Sequence, residues 1–150
     1  MASPTAAPGQ IWQDDCYYLN RQTGGCERKY VLVLAVDENC GDAVTAVFTS
    51  KSHGLTEEPA CSSGPPRSGY FVGVPGGVMA QPTWVDFSSL DMLDAFDLRK
   101  QAQAGRKTLL SQTLPRLTFC SILRCVLHSD DITGRQARLI GNVAAHRQCP

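Results

Sequence analysis

At 150 residues, the chain has the size of one domain with one core. Apolar residues make up 43% and charged residues 19%, ordinary for a soluble globular protein. A formal net charge of +0 excludes a global field drawing it to nucleic acid or a membrane surface, so any polyanion site must be a local patch of Lys and Arg.

The opening MASPTAAPGQ has neither the basic nor the apolar region of a signal peptide and is expected to be a short flexible lead-in. QIWQDDCYYL (10–19) leans to strand, with aromatic and branched residues behind a Pro8-Gly9 break. The turn-rich NRQTGG leads into YVLVLAV (30–36), whose continuous apolar run predicts a strand buried on both faces. That run, at Val31 to Val36 the longest in the chain, is far short of the roughly 20 residues a membrane span needs. DENCGD is a tight turn, and AVTAVFTS (43–50) returns as a third strand beside the second, giving a meander. Residues 51–69 form a long Gly-, Pro- and Ser-rich loop, of the kind that tends to be functional or mobile. YFVGV (70–74) is a fourth strand closed by Pro75-Gly76-Gly77, which lacks the following Gly-Lys-Ser/Thr of a nucleotide loop. TWVDFSSL (83–90) is a fifth, with Trp84 and Asp86 on one face and Val85 and Phe87 on the other. Short strands at this spacing indicate a small closed or nearly closed barrel.

The last third changes character. RKQAQAGRKTLLSQ (99–112) is basic and helix-permissive, interrupted by Gly105; its Arg99, Lys100, Arg106 and Lys107 read as a solvated helix face or a track for phosphates. Ile122, Leu123, Val126 and Leu127 recur at helical spacing within 118–131, with Pro115 near the start and Thr118 as an N-cap. The remaining tail is of uncertain order. The barrel is thus expected over about 8–94 and a helical extension over about 99–131, in a single domain spanning 1–150.

Seven cysteines (16, 26, 40, 61, 120, 125 and 149) are an odd number with no Cys-x-x-Cys pair. A disulfide framework or a zinc knuckle is therefore not expected. Most are read as small buried apolar residues, and Cys120 and Cys125, five apart, fall on different faces of a helix.

Chemistry concentrates where the second strand starts and the third ends. If these strands pair, Arg28 and Thr49 share one rim, with His53 in the loop above. A guanidinium grips phosphate and stabilises charge in a transition state. A hydroxyl bonds a non-bridging oxygen, and imidazole transfers protons near neutral pH. Trp12, Tyr17, Tyr18 and Trp84 are aromatics that either stack nucleobases or, more commonly, fill a core.

PGQIW at the start, RKYVLVLAV after a gap and AVFTSK at the next strand resemble the MazF/PemK/Kid toxins. That family shows a G-x-[IV]-W segment, a basic-Arg-Pro strand and a P-[IL]-[TS]-[ST] strand end. The resemblance covers roughly residues 8–94. Tyr30 stands where the family has Pro, Val47 where it has another Pro, and Asp86 and Ser88 where some members carry an Arg and an Asp. The resemblance implies a small SH3-like β-barrel (MazF/CcdB-like), mostly β with C-terminal helices, forming a cytoplasmic homodimer. It implies a metal-independent endoribonuclease that cleaves single-stranded RNA and is neutralised by an antitoxin, without cofactor or membrane. Arg28 would be the catalytic cation, Thr49 would orient the phosphate, and His53 or Glu27 would carry the proton. Lys29, Ser50, Lys51, Trp12 and Trp84 would contact RNA. The alternatives are a non-catalytic SH3-like module binding a peptide or nucleic acid, and a CcdB-like inhibitor of a protein target.

Overall fold

A computed structural model describes residues 5–150; the first four residues of the lead-in lie outside the described residues. The elements run β1 (Ile11–Leu19), β2 (Cys26–Val36), β3 (Ala43–Thr49), β4 (Cys61–Ser62), β5 (Gly69–Gly73), β6 (Thr83–Leu93), α1 (Ala95–Gln103), β7 (Lys107–Leu109), α2 (Arg116–Val126) and α3 (Gly134–His146). The protein is mostly β with helices towards its C-terminus. Its strands form a single antiparallel sheet in the order β4-β5-β6-β3-β2-β1-β7. The meander of β1, β2 and β3 is as the sequence predicts. The ladder does not close on itself: β4 and β7 are its two edges.

β2 is an interior strand between β3 and β1, and Val31 to Ala35 is buried throughout. Leu32 and Leu34 join Ile11, Phe48, Val85 and Phe87 on the face covered by Phe119, Ile122 and Leu123 of α2 and Ile140 of α3. Val33 faces the other way, with Trp12 and Ala43, against Leu98 of α1. Each fully buried Leu or Phe in these layers contributes about 1.5–3 kcal/mol. Gly69 keeps the β5–β6 pairing tight, because a Cβ there would lie 2.6 Å from the Val85 carbonyl oxygen and 2.7 Å from Leu55 Cδ1.

The C-terminal third corrects several expectations. The helix expected over 99–112 starts earlier, at Ala95, where Asp94 accepts a hydrogen bond from the Asp97 amide at 2.8 Å. It ends before Gly105, whose positive φ of 76° breaks the helix. The chain then enters β7 and pairs with β1. α2 begins at Arg116, so Thr118 lies inside it and caps nothing. The tail is an ordered helix, α3, with a capping box between Thr133 and Gln136. The described part of the lead-in is fastened down: the Gly9 amide donates to the Val33 carbonyl at 2.8 Å.

The cysteine reading is overturned. Cys16 bonds Cys26 across the β1–β2 arm, Cys61 bonds Cys125 from β4 to α2, and Cys120 bonds Cys149 from α2 to the chain end. Only Cys40 is free and exposed, which makes the total odd. Cys120 and Cys125 do lie on different faces of α2, and each face is bonded to a different part of the fold.

Candidate functional site

The β2–β3 register pairs Val31 with Val47. Continued towards the start of β2, it sets Lys29 opposite Thr49, on one face of the sheet, while Arg28 turns to the other face by strand alternation. Residues of both strand ends nonetheless line one groove. This groove of about 310 Å³ is lined by Arg28, Lys29, Tyr30, Thr49 and Ser50 on one side. On the other side it is lined by the Val78–Gln81 segment and Thr83.

The cations differ in commitment. Arg28 Nε lies 3.4 Å from Asp15 Oδ1, with both side chains well exposed, so the pair is weak and separable. Lys29 takes part in none of the ion pairs among the described residues. Thr49 is buried, and its hydroxyl accepts from the Lys51 amide at 3.1 Å while lying 3.3 Å from the Lys51 carbonyl. That loop contact ends β3 and fixes the hydroxyl at the groove wall. Ser50, exposed beside it, adds a second hydroxyl.

The far wall is built by a turn that the C-terminal third holds in place. Gln112 Nε2 donates to the Gly76 carbonyl at 2.9 Å, and Gln112 Oε1 accepts from the Val78 amide at 3.2 Å. Gly77, at φ 57°, has no room for a side chain, because a Cβ would overlap the Gln112 amide.

The remaining expected site residues are elsewhere. His53 and Lys51 are exposed in the loop after β3 and do not line the groove. Glu27 is engaged with Asn20, whose Nδ2 donates to its Oε1 at 2.9 Å. Trp12 and Trp84 are corrected from RNA contacts to core residues: they are 2% and 5% exposed. Their indole N–H groups donate to Gln10 Oε1 and the Thr56 carbonyl, leaving no ring face for a base. Asp86 is fully bonded, accepting from Arg67 Nη2 at 2.7 Å and from the Ser88 amide and hydroxyl at 3.0 and 2.7 Å. It holds the β4–β5 loop against β6. Of the basic stretch, Lys107 is nearly buried and lies 3.7 Å from Asp14 Oδ2.

No Asp, Glu or His side chain lines the groove. Its ionisable groups are the two cations and the Tyr30 phenol, a set suited to holding an anion. Among the described residues no group of three or more His, Cys, Asp or Glu is placed to hold a metal ion, and no helix is long and apolar enough to cross a membrane. No family model, curated protein or solved structure matches the chain.

Proposed function

We propose that this protein binds single-stranded RNA through a phosphate in the Arg28–Lys29 groove and cleaves it without metal, as a toxin-like endoribonuclease. The observation that carries the reading is the convergence of Arg28, Lys29, Thr49 and Ser50 on one groove. The resemblance to the MazF/PemK/Kid toxins, read from RKYVLVLAV and AVFTSK, supports it by aligning a basic pair and a strand-end hydroxyl with these positions. In this reading Lys29 and Arg28 neutralise the phosphate and the charge that builds up as the 2′-hydroxyl gives up its proton and attacks the phosphorus. The bond to the 5′-oxygen breaks and that oxygen leaves with a proton, giving a 2′,3′-cyclic phosphate. Ser50 and Thr49 orient the non-bridging oxygens, and Tyr30 is the groove's own candidate for proton transfer. The β1–β2–β3 meander with β6 returning beside β3 supports an SH3-like architecture whose last seam is open. The antitoxin would be a segment with acidic residues that occupies the same cationic groove, and a homodimer would place two grooves on one particle.

One observation favours a second reading, a non-catalytic binding module: no carboxylate or imidazole faces the groove. Three disulfides also weigh against the cytoplasm, since such bonds persist mainly in oxidising compartments. Incubation with single-stranded RNA in EDTA separates the readings. Cleavage that disappears in Lys29→Ala and Arg28→Ala supports the enzyme. Binding without cleavage supports the module. Neither binding nor cleavage at high protein excess overturns both.

A further inference from the structure

Four aromatic side chains were candidates for stacking bases, and the fold separates them into two pairs. Trp12 and Trp84 are in the core, whereas Tyr17 and Tyr18 are 40% and 49% exposed. Neither tyrosine belongs to a hydrophobic cluster. They sit on the outer half of β1, where the register with β2 slips between Asp14 and Tyr18. The two rings are edge-on, with centroids 6.5 Å apart and planes at 81°, so their faces point in different directions.

The arm that carries them is held stiff at both ends. The Cys16–Cys26 disulfide ties its strands at a Cα–Cα distance of 4.6 Å. At the tip, Asn20 Oδ1 accepts from the Gln22 and Thr23 amides while its Nδ2 bonds Glu27. A rigid arm presents aromatic surface at little cost in conformational entropy. Tyr18 pairs with Glu27, so its Cα is level with a position about 7 Å along β2 from Lys29.

We propose that Tyr17 and Tyr18 form a base-stacking platform for the single-stranded RNA whose phosphate occupies the Arg28–Lys29 groove. This rests on the RNA reading above. Arg28 and Lys29 supply the charge for a polyanion, and the Asp91, Asp14 and Asp86 carboxylates near Tyr17 oppose it. Stacking on an aromatic face is how single strands are held without sequence readout. The Cys16–Cys26 disulfide keeps the platform aligned with the groove.

The test compares two ligands of equal length: a 2′-O-methylated oligoribonucleotide that cannot be cleaved, and an abasic ribose-phosphate oligomer. Wild-type protein should bind the base-bearing strand more tightly. Tyr17→Ala and Tyr18→Ala should each weaken that strand by roughly 5- to 150-fold and leave the abasic oligomer unchanged. The Phe variants, which keep the ring, should retain wild-type affinity. Lys29→Ala should weaken both ligands alike. If the alanine variants bind the base-bearing strand as wild type does, or lose both ligands equally, the platform is overturned while the groove stands. If they instead change the oligomeric state with RNA binding intact, the arm is a contact between copies and the platform is again overturned. Wild-type protein that binds neither oligomer overturns the groove and the platform together.

Discussion

Strand β2 starts in one recess and ends beside another, and the two differ in what their side chains are already doing. The recess at the end of β2 is the larger, about 760 Å³, between the Asp37–Asn39 turn and α3. Arg135 Nη2 holds Asp37 at 2.8 Å. Arg147, which lines the recess, donates to the Pro8 carbonyl at 2.7 Å and lies 4.9 Å over the Phe119 ring. These cations fasten α3 and the N-terminal segment to the sheet. At the start of β2, the groove of about 310 Å³ holds Lys29, which is in no ion pair among the described residues, and Arg28, in only an exposed one. Free charge alone does not separate them, because Arg138 on the wall of the larger recess is also in no ion pair among the described residues. Only the smaller recess sets two adjacent cations beside the strand-end hydroxyls of Thr49 and Ser50.

The largest effect should come from opening the seam. Cys120 and Cys149 are separated by 29 residues that contain α3, and a cross-link of that span is worth about 3–4 kcal/mol in the chain-entropy account. Replacing both by Ser should lower the unfolding free energy by that amount in a denaturant titration. Hydrogen exchange should show α3 losing protection before β2 and β3. Simultaneous loss in the strands would mean that the two recesses are not separable units.

The cations give the next contrast. Arg28→Ala or Lys29→Ala should weaken binding of single-stranded RNA by about 10- to 100-fold, the worth of one charge-assisted hydrogen bond. The loss should shrink as salt is raised. Arg138→Ala together with His146→Ala, on the wall of the larger recess, should leave that affinity within roughly twofold. Equal losses at both recesses would erase the distinction.

A smaller effect should follow from the groove wall alone. Gln112→Ala removes two hydrogen bonds to the turn after β5, costing about 1–2 kcal/mol of stability. It should reduce RNA affinity several-fold through displacement of Val78 to Gln81, with the Arg28–Asp15 pair untouched. A stability loss with unchanged affinity would show that the turn merely closes the sheet.

These residues also show what could be read from sequence. The apolar run at Val31 to Val36 marked an interior strand, since a strand buried on both faces has that pattern. The basic pair and strand-end hydroxyl were legible because adjacent strands bring their ends together. Strand alternation alone could have put Lys29, rather than Arg28, on the face of Thr49. Gln112 left no local signal, because it reaches the groove from 34 positions beyond Val78. The disulfides were hidden for the same reason: their partners lie up to 64 residues apart, and one free Cys40 disguises the even set. Trp12 could not be told from Tyr17 and Tyr18 by residue type, because burial is decided by which half of β1 the sheet covers; Trp84 is buried on β6, inside the sheet.

The mildest perturbation acts on the seam's rim. The hydrogen bond from Arg135 holds the Asp37 carboxyl below its ordinary range, helped by the Asn39 amide. A depressed carboxylate contributes stability that is fully present above its unfolded pKa and is lost as pH falls through the folded one. Wild-type protein and Asp37→Asn should therefore differ in stability by a constant, small amount from neutral pH down to the ordinary carboxylate value. Below that value the difference should close. Salt should shrink it at every pH, because the Arg135 side chain is 45% exposed. RNA affinity should be the same in both proteins throughout, since this carboxylate serves the seam at the far end of β2. An affinity that follows the Asp37 titration would instead couple the two recesses through the strand they share.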